Sequence, residues 1–150
     1  MSDTLSIKAT IQVQKPVNEV FEAIVDPSKM SGYFIESGSA RLEEGKTVTW
    51  KWPEFDGDNP VRGGRIEKDS YVSFYWDGAE NTETLVEMKL EAVGQDTKIT
   101  VTEGTLSNDE KGIKWLKGNT EGWANFLACL KAYLEYGINL RKGAFDFMKS

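Results

Sequence analysis

The residues of this chain best equipped for chemistry are large rings and one inward carboxylate. Trp50, Trp52, Phe74, Trp76, Trp115 and Trp123 all fall on faces that the local pattern turns inward. Phe34 and Phe55 stand in neighbouring loops, while Met88 and Phe126 recur on inward faces of their own segments. Such rings can line a pocket, and an indole N–H can orient the polar end of a bound molecule. The competing reading is that each ring fills a core, the usual fate of large apolar side chains. Glu103 shares the parity of Ile99 and Val101 and so faces inward as well. A carboxylate there must be paired, hydrated or protonated, and it could anchor an amine or hydroxyl. Alternatively it is a strand-end residue reaching solvent. Arg62 and Arg65 point to opposite faces of a regular strand, so at most one can be its partner. The expected ligand-binding set is therefore Phe34, Trp50, Trp52, Phe74, Trp76, Met88, Glu103, Trp115, Trp123 and Phe126.

Other groups are weaker candidates. Glu54, Asp56 and Asp58 could chelate a cation or act as an acid–base pair, but such a loop is more often a solvated turn. The chain has no histidine and a single cysteine, Cys129. That excludes Ser-His-Asp and Cys-His catalysis, imidazole metal sites, an intrachain disulfide and a CxxC site. Neither a metal nor a cofactor is expected. Cys129 sits mid-helix beside Phe126 and Leu130, the place of a small core residue. If the protein is an enzyme, Glu103 with Tyr33 or Tyr75 would have to carry a weak cyclase or hydrolase activity.

The elements that must position these groups follow from period. Thr4–Gln14 alternates as a half-buried strand. Pro16 then opens a short amphipathic helix over 17–25, and 27–32 adds another turn. Strands are expected at 38–43, 47–52, 61–68, 71–76, 84–92 and 97–105. Gly63-Gly64 marks a bend or bulge, and Asp77-Gly78 signals a turn. Ser107-Asn108-Asp109-Glu110 has the form of a capping box for a long helix running to about residue 135, kinked near Gly118. The order is strand, short helices, strand meander, long helix, which is an α+β arrangement. The tail 137–150 has no period but carries Ile138, Leu140, Phe145, Phe147 and Met148.

Charge bounds the partners. Eighteen cationic against twenty-four anionic side chains give a net charge of −6, and the longest basic run is Arg141-Lys142. Phosphate recognition needs clustered cations, so neither nucleic acid nor an anionic membrane is expected. No stretch has the length of a membrane span, and no targeting signal opens the chain, so a cytoplasmic location is expected.

The segment Glu121-Gly122-Trp123-Ala124-Asn125-Phe126-Leu127-Ala128-Cys129-Leu130-Lys131-Ala132-Tyr133-Leu134-Glu135, with Pro16-Val17 and Ile99-Thr100-Val101-Thr102-Glu103-Gly104, resembles the START-like (SRPBCC) helix-grip superfamily. More narrowly it resembles the branch homologous to the C-terminal domain of the activator of the ninety-kilodalton heat-shock protein ATPase. The resemblance covers about residues 4–136. It implies a curved antiparallel sheet of six to seven strands wrapped around a long C-terminal helix, with two short helices after the first strand and a cavity beneath. It also implies a domain over 1–136, followed by a tail (137–150) that packs on the body or a neighbour. The function it implies is non-catalytic binding of a small hydrophobic or amphipathic molecule. A co-chaperone-type interaction domain, with a chaperone partner, is the alternative, and homodimer formation is a further expectation. Glu103 stands where the family often has histidine, so no role of that histidine is carried over.

Overall fold

A computed structural model describes residues 3–149. Its first strand, β1 (Thr4–Val13), buries Ile7 and Val13 through the alternation of its side chains. Pro16 stands just before α1 (Val17–Val25), which buries Val20, Phe21, Ala23, Ile24 and Val25. Asp26 ends α1 and caps α2 (Pro27–Met30), accepting the Ser28 N–H at 2.9 Å. Six further strands follow: β2 (Ser37–Gly38), β3 (Thr47–Lys51), β4 (Asn59–Glu67), β5 (Tyr71–Ala79), β6 (Thr82–Val93) and β7 (Asp96–Ser107). The long helix α3 spans Glu110–Tyr136.

The strands form one seven-stranded sheet in the order β1-β7-β6-β5-β4-β3-β2. Every neighbouring pair is antiparallel. The sheet curves around α3, which lies against β1 and β7. Between them the inward residues Phe74, Val86, Met88, Ile99 and Val101 meet Leu127 and Leu130 of α3, all buried. This is the α+β helix-grip architecture that the sequence implies.

Four local expectations are corrected. The strand expected at 38–43 shrinks to Ser37–Gly38. Beyond it the Leu42 N–H bonds Val25 O at 3.0 Å, and Arg41 forks onto Glu22, so the chain is drawn to α1 instead of the sheet. Asp77-Gly78 is not a turn: β5 runs through it with a register shift between Trp76 and Ala79. The turn comes at Glu80-Asn81, where Asn81 takes a left-handed φ of 53° that asparagine tolerates. Strand β7 extends to Ser107, which displaces the helix cap to Asp109; its carboxylate accepts the Gly112 N–H at 2.8 Å. Finally, α3 is continuous for 27 residues without a break at Gly118, about 40 Å at 1.5 Å per residue. Packing of its apolar face on the sheet outweighs the weak helix propensity of the glycines.

The expected bulge at Gly63-Gly64 is present, as a register shift between Gly63 and Ile66. After α3, Gly137 takes a left-handed φ of 66° and turns the chain back over the body. There the Arg141 guanidinium forks onto the Glu54 carboxylate, at 2.5 and 3.1 Å. Among the described residues, no helix is long and apolar enough to cross a membrane.

Candidate ligand-binding site

Five aromatic rings close a circuit at one end of the grip. Phe34 follows α2, Trp52 follows β3, Trp76 lies in β5, and Trp123 and Phe126 project from α3. Successive ring centroids stand 5.4 Å (Phe34–Trp52), 6.0 Å (Trp52–Trp76), 5.6 Å (Trp76–Trp123), 5.2 Å (Trp123–Phe126) and 4.7 Å (Phe126–Phe34) apart. All are tilted or edge-to-face, the arrangements that the ring quadrupole favours. These five rings line a cavity of about 530 Å³. Gly118 and Gly122 open space on the α3 side, where an added Cβ would meet nothing within 4 Å. Phe55, from the β3–β4 loop, and Phe145, Phe147 and Met148, from the tail, border its open side, with Phe55, Phe147 and Met148 exposed to solvent. Polar groups are few: Asn59, Asn119, Asn125, Asp77, Glu121 and Arg141.

The other expected site residues lie behind this wall. Trp50 (1 % exposed) and Phe74 (0 %) pack on each other at 5.2 Å and support Phe34, Trp52 and Trp76 from the core side. Met88 is buried between Val72 and Val101 of the adjoining strands. Trp115 is buried, and its indole N–H donates to Gly78 O at 3.1 Å.

Glu103 is 1 % exposed and does not reach solvent. Its Oε1 accepts from Trp123 Nε1 at 2.8 Å and Asn119 Nδ2 at 3.1 Å. Its Oε2 accepts from Thr84 Oγ1 at 2.5 Å and Trp76 Nε1 at 2.9 Å. Neither arginine pairs with it: Arg62 forks onto Glu83 and lies over Tyr75, while Arg65 faces Glu67 and the Tyr71 ring. The β5 bulge makes room for this knot. A Cβ on Gly78 would come within 2.0 Å of both Glu103 Oε2 and Thr84 Oγ1, so only glycine fits.

Of the other candidates, Tyr33 is fully buried and donates to Ala23 O at 2.8 Å; burial, reinforced by Tyr133, pushes its hydroxyl well above the usual phenol range. The acidic loop is not uniformly solvated. Glu54 is buried against Arg141, while Asp58 reaches Lys51 at 3.4 Å. Among the described residues, no group of three acidic or thiol side chains is placed to hold a metal ion. Cys129 lines the cavity at 5 % exposure, and burial raises its thiol above the ordinary value against a small opposing pull from Arg141.

Sequence reasoning missed Asn119, Thr84, Gly78, Arg141 and the tail aromatics as parts of this region. Asn119 stands four residues before Trp123 on one helix face, a spacing that could have found it. Nothing local to Gly78 or Arg141 announces a role.

A seven-stranded sheet gripping a terminal helix, with an aromatic cavity at one end, defines a START-like helix-grip domain. The chain belongs to the family described as activator of Hsp90 ATPase homolog 1-like protein, whose model matches residues 14–135. Protein SSP2350 from Staphylococcus saprophyticus is similar in structure, at 35 % identity, 91 % coverage of this chain, 96 % of that one, and a TM-score of 0.80. The Aha1 dimer from Colwellia psychrerythraea shares the fold at 18 % identity, 89 % and 98 % coverage and a TM-score of 0.75. DynU16, from the dynemicin biosynthetic locus, does so at 24 % identity, 92 % and 49 % coverage and a TM-score of 0.78. Among curated proteins, none matches the chain significantly.

Proposed function

We propose that the protein binds a small hydrophobic or amphipathic molecule in the aromatic cavity, without catalysing a reaction. The observation that carries this reading is the cluster of five packed rings that lines a cavity of about 530 Å³, a volume typical of small-molecule sites. The few polar groups at its edge suit one polar end of a ligand. Catalysis is less well supported. Both Glu103 oxygens are engaged by protein donors, and the Tyr33 hydroxyl is tied to a backbone carbonyl.

The test uses N-phenylnaphthylamine, a neutral aromatic fluorophore, with tryptophan emission as a second signal. Saturable binding of one probe per chain is expected. Gly122→Leu should weaken it at least about tenfold by filling the cavity, while adding up to about 1 kcal/mol of helix propensity. A Gly122→Leu protein that binds the probe as the wild type does would overturn the reading.

Family membership favours a second reading, a co-chaperone-type interaction domain working through its surface. Its mark would be a rise in the ATP turnover of a heat-shock ATPase on addition of the protein, unaffected by Gly122→Leu. Homodimer formation belongs to the same proposal, and sedimentation velocity would measure it.

A further inference from the structure

Glu103 presents an unusual combination: a buried carboxylate whose four partners are all neutral donors. Two of them, the Trp76 and Trp123 indoles, are walls of the cavity, yet Glu103 itself does not line it. Each indole turns its N–H edge toward the carboxylate, with the ring centroids 5.6 Å apart and 35° between planes. Asn119 extends the knot by donating to both Glu103 Oε1 and Gly78 O, at 3.1 and 2.9 Å. Gly78 O also takes the Trp115 N–H. The knot thus ties β5, β6 and β7 to α3 at the head of the cavity.

We infer that Glu103 is a positioning residue of the binding site, which fixes the orientation of the Trp76 and Trp123 rings so that they offer faces and not N–H groups to a ligand. This rests on the ligand-binding reading above. The physical argument is one of acceptor supply. An indole nitrogen has one donor and no acceptor capacity, so a buried indole must send its N–H to an acceptor. A single carboxylate, with about four acceptor sites, satisfies both rings together with Thr84 and Asn119. Neither ring can rotate about its side-chain torsions without abandoning its bond to the buried Glu103 side chain. The wall is therefore preorganised, and little orientational freedom is lost when a molecule packs on it. It follows that a ligand's polar end meets no N–H from these two indoles. It must find Asn59, Asn125, Asp77, Glu121 or the region of Arg141 instead.

Glu103→Gln tests this, because it keeps the shape but replaces two acceptor sites by an NH2 that opposes the donors. Two readouts apply to the wild type and the variant: hydrogen exchange of the Trp76 and Trp123 indole protons by nuclear magnetic resonance, and affinity for N-phenylnaphthylamine. The expected result is indole exchange at least about tenfold faster and probe binding about tenfold weaker, the scale of one lost hydrogen bond to a charged group. Thr84→Val removes one donor without touching the cavity, and should quicken exchange of Trp76 more than of Trp123. It replaces Glu103→Gln in the comparison should that protein not fold. Val72→Ala, buried but outside the knot and the cavity, lowers stability alone and should leave both readouts unchanged. Probe binding or indole exchange that Glu103→Gln and Thr84→Val leave at wild-type values overturns the positioning role alone. Absence of probe binding by the wild type removes the ligand reading, and the positioning role with it.

Discussion

At the scale of single residues, the site depends on contacts too close for any substitute. Gly78→Ala would force a methyl group against Glu103 and Thr84, both buried and hydrogen-bonded to each other. The expected cost is about 3 kcal/mol, from overpacking and displacement of the carboxylate, measured by urea denaturation. Gly94→Ala is the useful contrast: its positive φ strains the backbone, but its Cβ meets nothing within 4 Å, so about 1 kcal/mol is expected. Cys129 gives a second residue-level prediction. Its low exposure and raised thiol value disfavour the reactive thiolate. Ellman's reagent at pH 8 should modify the folded protein at least about a hundredfold more slowly than the urea-unfolded chain. Fast labelling of the folded form would place the thiol in contact with solvent. The inward parity of Glu103 was legible from the strand pattern, whereas its four partners were not. They come from two strands, β5 and β6, and from α3, and no local spacing links Thr84 to residue 103.

Elements were mostly legible because their periods are strong. β1 and α1 were visible in alternation and in three-to-four recurrence. The errors fell where long-range pairing overrode local signals. Asp77-Gly78 has turn chemistry, yet pairing with β6 carries the strand three residues further and converts the dipeptide into a bulge. In α3, Gly118 suggested a kink, but Gly118 and Gly122 both border the cavity, where their lack of side chains leaves open space. The far end of α3 is anchored through Glu135, whose Oε2 accepts from the Gln14 N–H and from Lys131 Nζ, while Lys131 also donates to Gln12 O. Burial alone would raise the Glu135 carboxyl, but the Gln14 N–H and Lys131 outweigh it and hold it below its ordinary value of 4.5. A depressed folded value gives stability that is full above the unfolded value and fades as pH falls through the folded one. Glu135→Gln should therefore cost about 1 kcal/mol at pH 7, and the gap to the wild type should narrow as pH falls below 4.5. Paired denaturation curves at the two pH values measure it, and a gap that does not narrow would refute the assignment.

At the scale of the whole molecule, the cavity belongs to the grip and to the tail together. The sheet and α3 supply the aromatic circuit, while Phe145, Phe147 and Met148 stand at its open rim. Beside them the tail is tied to the body by the Arg141–Glu54 pair, whose side chains are only 15 % and 4 % exposed, with Arg141 also 4.9 Å from the Phe145 ring centroid. Sequence alone suggested a tail too apolar to be free, but it gave no register for its docking, because an ion pair 87 residues apart leaves no periodic trace. A buried pair responds asymmetrically to mutation. Removing one partner strands the other charge away from water, whereas removing both leaves only a modest loss. Arg141→Met should thus cost about 3 kcal/mol, and Glu54→Gln combined with Arg141→Met should recover more than half of it. If the pair also holds the tail over the cavity, the single variant should release N-phenylnaphthylamine about tenfold faster in stopped flow. The double variant should stay fast while its stability returns, since a neutral pair relieves the stranded charge without restoring the fork that fixes the tail. Recovery of slow release along with stability would show that the ion pair acts on the fold alone and that the tail stays docked without it.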